Sequence, residues 1–164
     1  MSDTEPFQIR DARDDDANGI IALMTNVFAE YEGCVMDVDG ELPELRAIAT
    51  YFAKLHGRFW VCATTREIIG CVGYSPSAEE GGYELKKLYV ARGTRRSGIG
   101  STLASLVEQA AANASRRFVD LWSDTRFVTA HRFYERRGYV RGPGSRDLHD
   151  KSDTVEFYFR REIE

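Results

Sequence analysis

The chain is poor in cysteine, and its three thiols, Cys34, Cys62 and Cys71, are odd in number and never spaced C-x-x-C. That excludes a disulfide framework and a cysteine-built zinc site as organising devices and leaves the thiols as reduced, buried side chains. No apolar run approaches the roughly 20 residues that a bilayer crossing requires. The opening MSDTEPFQIRDARDDD is acidic where a secretory leader is basic and then apolar. The expectation is a cytoplasmic protein with no membrane partner. The formal net charge is only −4, and the basic residues form no base-reading motif, so no nucleic-acid partner is expected. There is no G-x-S-x-G elbow and no lysine after any glycine pair, which removes the common hydrolase and P-loop signatures.

What is present is one domain's worth of ordinary globular chain, 164 residues with 43% hydrophobic and 29% charged side chains and no internal repeat or linker. We treat residues 1–164 as a single domain. Phe7 to Arg10 reads as a strand, and Asp14 to Asp16 as the cap and first-turn acids of a helix whose Ile20, Met24, Val27 and Phe28 share a side. EGCVMDVDGELPE reads as a loop, and Pro43 opens a second helix through Ile48, Phe52 and Leu55 that stops near Gly57. Phe59 to Ala63 and Ile68 to Tyr74 form a hairpin around TTRE. A strand from Glu84, a helix from Ile99, a strand from Phe118 to Trp122, a helix from Ala130 to Arg137 and two strands, from Tyr139 and from Thr154 to Arg160, complete the order. That order is β-α-α-β-β-β-α-β-α-β-β. It predicts an α+β, three-layer fold with a largely antiparallel sheet and one parallel strand pair flanking the glycine helix.

The most telling stretch is Glu84 to Ala111: the strand ELKKLYV, the turn ARGTRRSGIG, and a helix with Ile99, Leu103, Leu106, Val107 and Ala110 on one stripe. The first N–H groups of a helix lack intrahelical partners and lie at the positive end of its dipole, so a turn that leaves them bare can hold an anion. Gly98 and Gly100 place no side chain over those amides, and Arg95 and Arg96 add positive charge. The spacing is not G-x-G-x-x-G, because the third position after Gly100 is Leu103. It is [Q/R]-x-x-G-x-[G/A], written here as Arg95-Arg96-Ser97-Gly98-Ile99-Gly100.

With the LYV strand before it, this motif resembles the acyl-CoA site of the GNAT superfamily, the acetyl-CoA-dependent N-acyltransferases. AHRFYERRGYV, residues 130–140, is similar to the FYE-x-x-GF segment of the same enzymes. The resemblance spans nearly the whole chain and implies the GNAT fold with its splayed parallel strands. It implies acetyl-CoA as co-substrate, held by Leu88, Tyr89, Val90, Arg95, Arg96, Ser97, Gly98, Ile99, Gly100 and Ser101. It also allows a homodimer, and it places Tyr134 where the family keeps a tyrosine facing the sulfur. One departure stands out: many members have asparagine seven residues before that tyrosine, and this chain has Phe127, so Thr125 or Asp124 would have to supply the polar contact. Tyr31, Cys34, Met36, Asp37 and Asp39 would line the acceptor side.

The implied reaction is attack of an amine on the acetyl thioester. An alkyl ammonium of pKa about 10.4 is neutral in about one molecule in 2,500 at pH 7, a handicap of about 4.6 kcal/mol, so a base must accept a proton or the site must depress the amine's pKa. Glu84, six residues before Val90, is the candidate, provided that burial raises its pKa; the alternative is an exposed strand residue paired with Lys86 or Lys87. Backbone N–H groups about Leu88 to Val90 would hold the oxyanion, and Tyr134 would protonate the departing sulfur. Residues 1–45 hold twelve acids against Arg10 and Arg13, while the rest of the chain carries 20 basic and 14 acidic side chains. The basic part suits the polyanionic co-substrate and the acidic part a small cationic amine. Rival chemistries are a hydrolase triad from Ser123, Asp124 and His131 or His149, and a metal site from Asp147, His149 and Asp150, but no metal is expected. A catalytically silent acyl-CoA sensor, and a protein-lysine or N-terminal acetyltransferase, remain the alternatives in function.

Overall fold

A computed structural model of the chain describes residues 5–163; of the acids counted above, Asp3 and Glu164 lie outside them. Seven strands form one sheet in the order β1-β2-β3-β4-β5-β7-β6. They are β1 (Gln8–Asp11), β2 (Arg58–Ala63), β3 (Ile68–Pro76), β4 (Gly82–Val90), β5 (Phe118–Asp124), β6 (Val140–Asp147) and β7 (Val155–Glu162). Every neighbouring pair is antiparallel except β4 and β5. The helices are α1 (Ala17–Phe28), α2 (Val38–Glu41), α3 (Ile48–Lys54), α4 (Ile99–Asn113) and α5 (Val128–Arg136).

The three layers follow from side-chain periodicity. Along β2, Phe59 and Val61 point to the face covered by α1 and α3, where Ile20, Met24, Val27, Ile48 and Phe52 are buried. Trp60 and Cys62 point to the opposite face, under Ile99, Leu103, Val107 and Ala111 of α4. Every second residue of the strand thus meets a different helix layer. No helix among the described residues is long and apolar enough to cross a membrane.

Local chemistry adjusts several expected boundaries. The stretch expected to be loop contains the one-turn α2, because the Asp37 side chain accepts from Gly40 N–H and caps it. Pro43 opens a 3-10 turn, Pro43–Ala47, that precedes α3. Asp14–Asp16 is likewise a 3-10 turn, and Asp16 does not cap α1 with its side chain. Its carboxylate instead takes Arg10 at 2.8 Å and the Arg13 N–H at 2.7 Å, locking the end of β1 to the helix start.

Two features of β4 open the sheet. Its parallel ladder with β5 covers only Gly82–Glu84 against Phe118–Asp120, after which the strands separate. The pair closes there because Gly82 has no side chain: a Cβ would run into the Phe118 ring. Midway along β4, Val72 of β3 faces both Lys87 and Leu88, a bulge with Lys87 at φ 54°. Left-handed lysine is strained by about 1–3 kcal/mol. Partners hold it: Lys87 pairs with Glu44 at 2.9 Å, and its carbonyl accepts from Cys71 Sγ at 3.3 Å.

Candidate active site

The loop after β4 leaves the start of α4 uncovered, as its glycines predict. Gly98 is the N-cap of α4 at φ 84°, no side chain caps the helix, and a Cβ at Gly98 would meet nothing within 4 Å. The first intrahelical bond is Thr102 N–H to Gly98 C=O at 3.0 Å, so the N–H groups of Ile99, Gly100 and Ser101 precede the ladder. Gly100 differs from Gly98: a Cβ there would make ordinary contact with Val90 and Phe133 at 3.7–3.8 Å, which explains why the motif tolerates alanine at that position.

The two arginines of the loop part company. Arg95 is held by Glu30 at the end of α1, with its Nη2 at 2.7 Å, and its Nε donates to the Val90 carbonyl at 3.1 Å. It therefore ties the loop to α1, while Arg96 is exposed at φ 73°. Ser97 Oγ donates to the Thr94 carbonyl and stiffens the turn.

The open edge of β4 supplies backbone donors. Ala91 N–H is bonded to Ile69 C=O on β3, so Val90, one residue back, turns its N–H to the other edge, where β5 has already left. Across the gap stands Tyr134 of α5, 6% exposed, with its ring against Tyr139 and Phe159 at 5.7 and 5.9 Å. Its hydroxyl has no hydrogen-bond partner among the described residues, and burial pushes its pKa above the usual tyrosine value. The group stays protonated and available to donate.

Glu84 lies at the point where the strands part, beside Asp120 in the parallel register. Burial raises its pKa, the carboxylates of Asp120 and Glu156 push the same way, and Lys86 and Arg146 oppose. Its side chain is 17% exposed and its nearest cation, Lys86 Nζ, is 4.0 Å away; Lys87 is taken by Glu44. The exposure expected in the alternative gives way to a largely buried carboxyl, while its pairing with Lys86 is present.

Sequence reasoning missed the face on which Glu84 stands. Asp120, Trp122 and Asp124 alternate along β5, opposite Arg160, Tyr158 and Glu156 of β7. Asp120 is 5% exposed; its Oδ2 accepts from Ser77 Oγ at 2.7 Å and Tyr158 Oη at 2.8 Å. Its Oδ1 is buried without a partner. A carboxylate inside a run read as apolar, FVDLW, was the available signal.

Other expectations resolve locally. Asp124 accepts Arg126 Nη2 at 2.8 Å, so its carboxylate is already engaged, and the Thr125 backbone N–H donates to Val155. Phe127 instead packs on Tyr31 at 4.7 Å. His131 Nε2 meets the Asp124 carbonyl at 2.9 Å, not its carboxylate, which dissolves the triad. In RDLHD, Asp150 accepts from Thr154 N–H at 2.8 Å and closes a turn, and no group of three or more metal-ligating side chains occurs among the described residues. Cys62 and Cys71 are buried free thiols, and Cys34 is half-buried. The N-terminal acids do not gather into one field. Asp11 pairs with Arg58, Asp16 with Arg10, Glu30 with Arg95, Asp37 with Lys151, Asp39 with Arg46 and Glu44 with Lys87. Of the residues expected on the acceptor side, Asp37 and Asp39 are therefore charge-compensated. Met36 packs into the cluster under α1, and Tyr31 and Cys34 flank the clasp formed by Val35 N–H on Ser152 Oγ at 2.8 Å.

Comparison with known proteins agrees with this geometry. Residues 20–139 match the family model described as "Acetyltransferase (GNAT) family". A curated relative from Xenopus tropicalis, "Probable N-acetyltransferase 14", is 30% identical over 98 residues, 59% of this chain. The match spans about half, 48%, of that relative's length. Among solved structures, a GNAT-family acetyltransferase of Staphylococcus aureus superposes with TM-score 0.82 at 19% identity, covering 97% of this chain and 100% of that one. A Bacillus anthracis protein in complex with acetyl coenzyme A aligns over 66% of this chain and 63% of its own, with TM-score 0.56 and 23% identity.

Proposed function

The chain belongs to the GNAT acetyltransferase family, and from that premise we propose that it moves the acetyl group of acetyl-CoA to the primary amine of a small acceptor, by direct attack in a ternary complex. The observation that carries this reading is the bare α4 N-terminus following the unpaired edge of β4, the strand that carries Glu84 where its ladder with β5 ends. The residues fit the co-substrate: N–H groups of Ile99, Gly100 and Ser101 meet its pyrophosphate beneath the open space at Gly98, and Leu88, Tyr89 and Val90 run beside its pantetheine arm. The thioester supplies an acyl carbon with a good leaving group.

Glu84 draws a proton from the acceptor ammonium, its raised pKa narrowing the gap to the amine. The freed nitrogen attacks the carbonyl carbon, a backbone N–H of the Leu88 to Val90 stretch stabilises the oxyanion, and the nitrogen's second proton passes to water as the tetrahedral intermediate collapses. As the C–S bond breaks, Tyr134 donates a hydrogen bond to the sulfur. A charge-assisted bond comes first, because full transfer from a phenol of pKa about 10, raised further here by burial, to a thiolate of about 8.5 is uphill. We assign the activity to one domain, residues 1–164, acting in the cytoplasm, where free Cys62 and Cys71 remain reduced.

The test is release of CoA thiol from acetyl-CoA against polyamines, aminoglycosides, amino acids and lysine peptides, with Gly98→Asp as the blank. Acceptor-dependent release that the variant loses supports the reading. Binding of acetyl-CoA with no thiol release to any amine would replace it with a silent acyl-CoA sensor.

A further inference from the structure

The sheet face around Glu84 already holds a cation of the protein's own. Arg146, on the edge strand β6, lays its guanidinium 4.2 Å from the centre of the Trp122 ring and donates from Nε to Glu156 Oε1 at 2.8 Å. Trp122 lies 5.1 Å from the Tyr158 ring, and the Tyr158 hydroxyl is bonded to Asp120. An aromatic floor is thus ringed by Glu84, Asp120 and Glu156, with the buried Asp120 Oδ1 still unpartnered. An aromatic face and a carboxylate are the two groups that recognise an ammonium or guanidinium. The hold on Arg146 is light. Its side chain is 43% exposed, on a strand whose ladder slips between Arg141 and Ser145, and contacts of this exposed kind are weak.

Resting on the acetyl-transfer reading, we propose that Trp122 and Glu156 form a second-cation subsite of the acceptor pocket, occupied in the free protein by Arg146 as an internal stand-in. The acceptor class is then a diamine or a guanidinium-bearing amine. One end loses its proton to Glu84, and the charged end displaces Arg146 from Trp122. Trp122 is two residues, about 6.6 Å, along β5 from Asp120, and Asp120 is one strand spacing, about 4.8 Å, from its register neighbour Glu84; the resulting span of about 8 Å matches a chain of about five carbons between the nitrogens.

The experiment compares pentane-1,5-diamine with pentylamine in the intact protein and in Arg146→Gln, Trp122→Leu and Glu156→Gln, by kcat/KM with acetyl-CoA and by calorimetric binding of the diamine. The diamine-to-monoamine ratio is expected to rise about three- to tenfold in Arg146→Gln and to fall by a similar factor in the other two, with diamine affinity moving in parallel. A ratio that falls in Arg146→Gln would make Arg146 an anchor for an anionic acceptor and overturn the proposal, as would ratios and affinities unchanged in all three. If no amine turns over yet diamine affinity shifts as stated, the subsite stands and the transfer reading fails. If monoamines turn over while ratio and affinity stay flat, only the subsite fails. Glu156→Gln keeps the test decisive should Trp122→Leu not fold.

Discussion

The two halves of the sheet are built differently. From β1 to β4 the sheet is covered on both faces, and β2 and β3 read as nearly continuous apolar strands, FWVC and IIGCV, because each side meets helices. From β5 to β6 only the α4 and α5 face is covered: the cluster beneath α1 and α3 contains no residue of β5, β6 or β7. There Val119, Leu121 and Phe159 point into the core, while Asp120, Trp122, Glu156 and Tyr158 occupy the other side. The candidate site stands at the seam. A missing layer gives polar side chains a place to work, and the adjoining double layer gives them rigidity.

Glu84→Gln strikes the seam itself and should have the largest effect, lowering kcat by about 100- to 10,000-fold. It should also remove the limb of the pH profile on which activity rises as Glu84 ionises. Stability should move the other way. The folded pKa lies above the unfolded one, so native protein holds more protons and wild-type stability falls as pH rises from the unfolded value through the raised folded value. Glu84→Gln should therefore melt higher than wild type at pH 7, with the difference gone below about pH 4. A lower melting point at pH 7 would mean the charged form is stabilised after all.

Phe52→Ala tests the double-layered half. Its side chain is fully buried between α3 and β2, and truncation should cost about 3–5 kcal/mol in urea unfolding. Tyr134→Phe should lower kcat about 10- to 1,000-fold with little change in KM for acetyl-CoA; unchanged turnover would remove the hydroxyl from the mechanism. Trp122→Leu sharpens the contrast from the open side and should cost about 1 kcal/mol or less in the same urea assay, because one face of the ring meets only the exposed Arg146. A loss comparable to that of Phe52→Ala would show that the open face is structural core.

Most of the architecture was legible in the residues. Periodicity located six strands to within about two residues, and Gly98, at φ 84° with nothing over it, leaves the helix start bare as its spacing announced. What the sequence left out has a common cause. Arg95 is expected beside an anion by its place in the loop, and only the fold shows that Glu30, 65 positions away, also holds its guanidinium. The N-terminal acids were read as a block, whereas folding distributes them among Arg10, Arg58, Arg46, Lys87, Lys151 and Arg95. The Asp120, Trp122 and Tyr158 face was hidden because its members come from strands that are neighbours only in the sheet.

By itself, the sequence determined the elements, the layer count and the bare glycine loop, all of which depend on side-chain period, turn chemistry and backbone freedom within a few residues. Tertiary structure alone decided where β4 and β5 part, which charges neutralise one another and that Glu84 is desolvated. Burial and ion pairing depend on distances between segments far apart in the chain, and those distances exist only once the sheet has assembled.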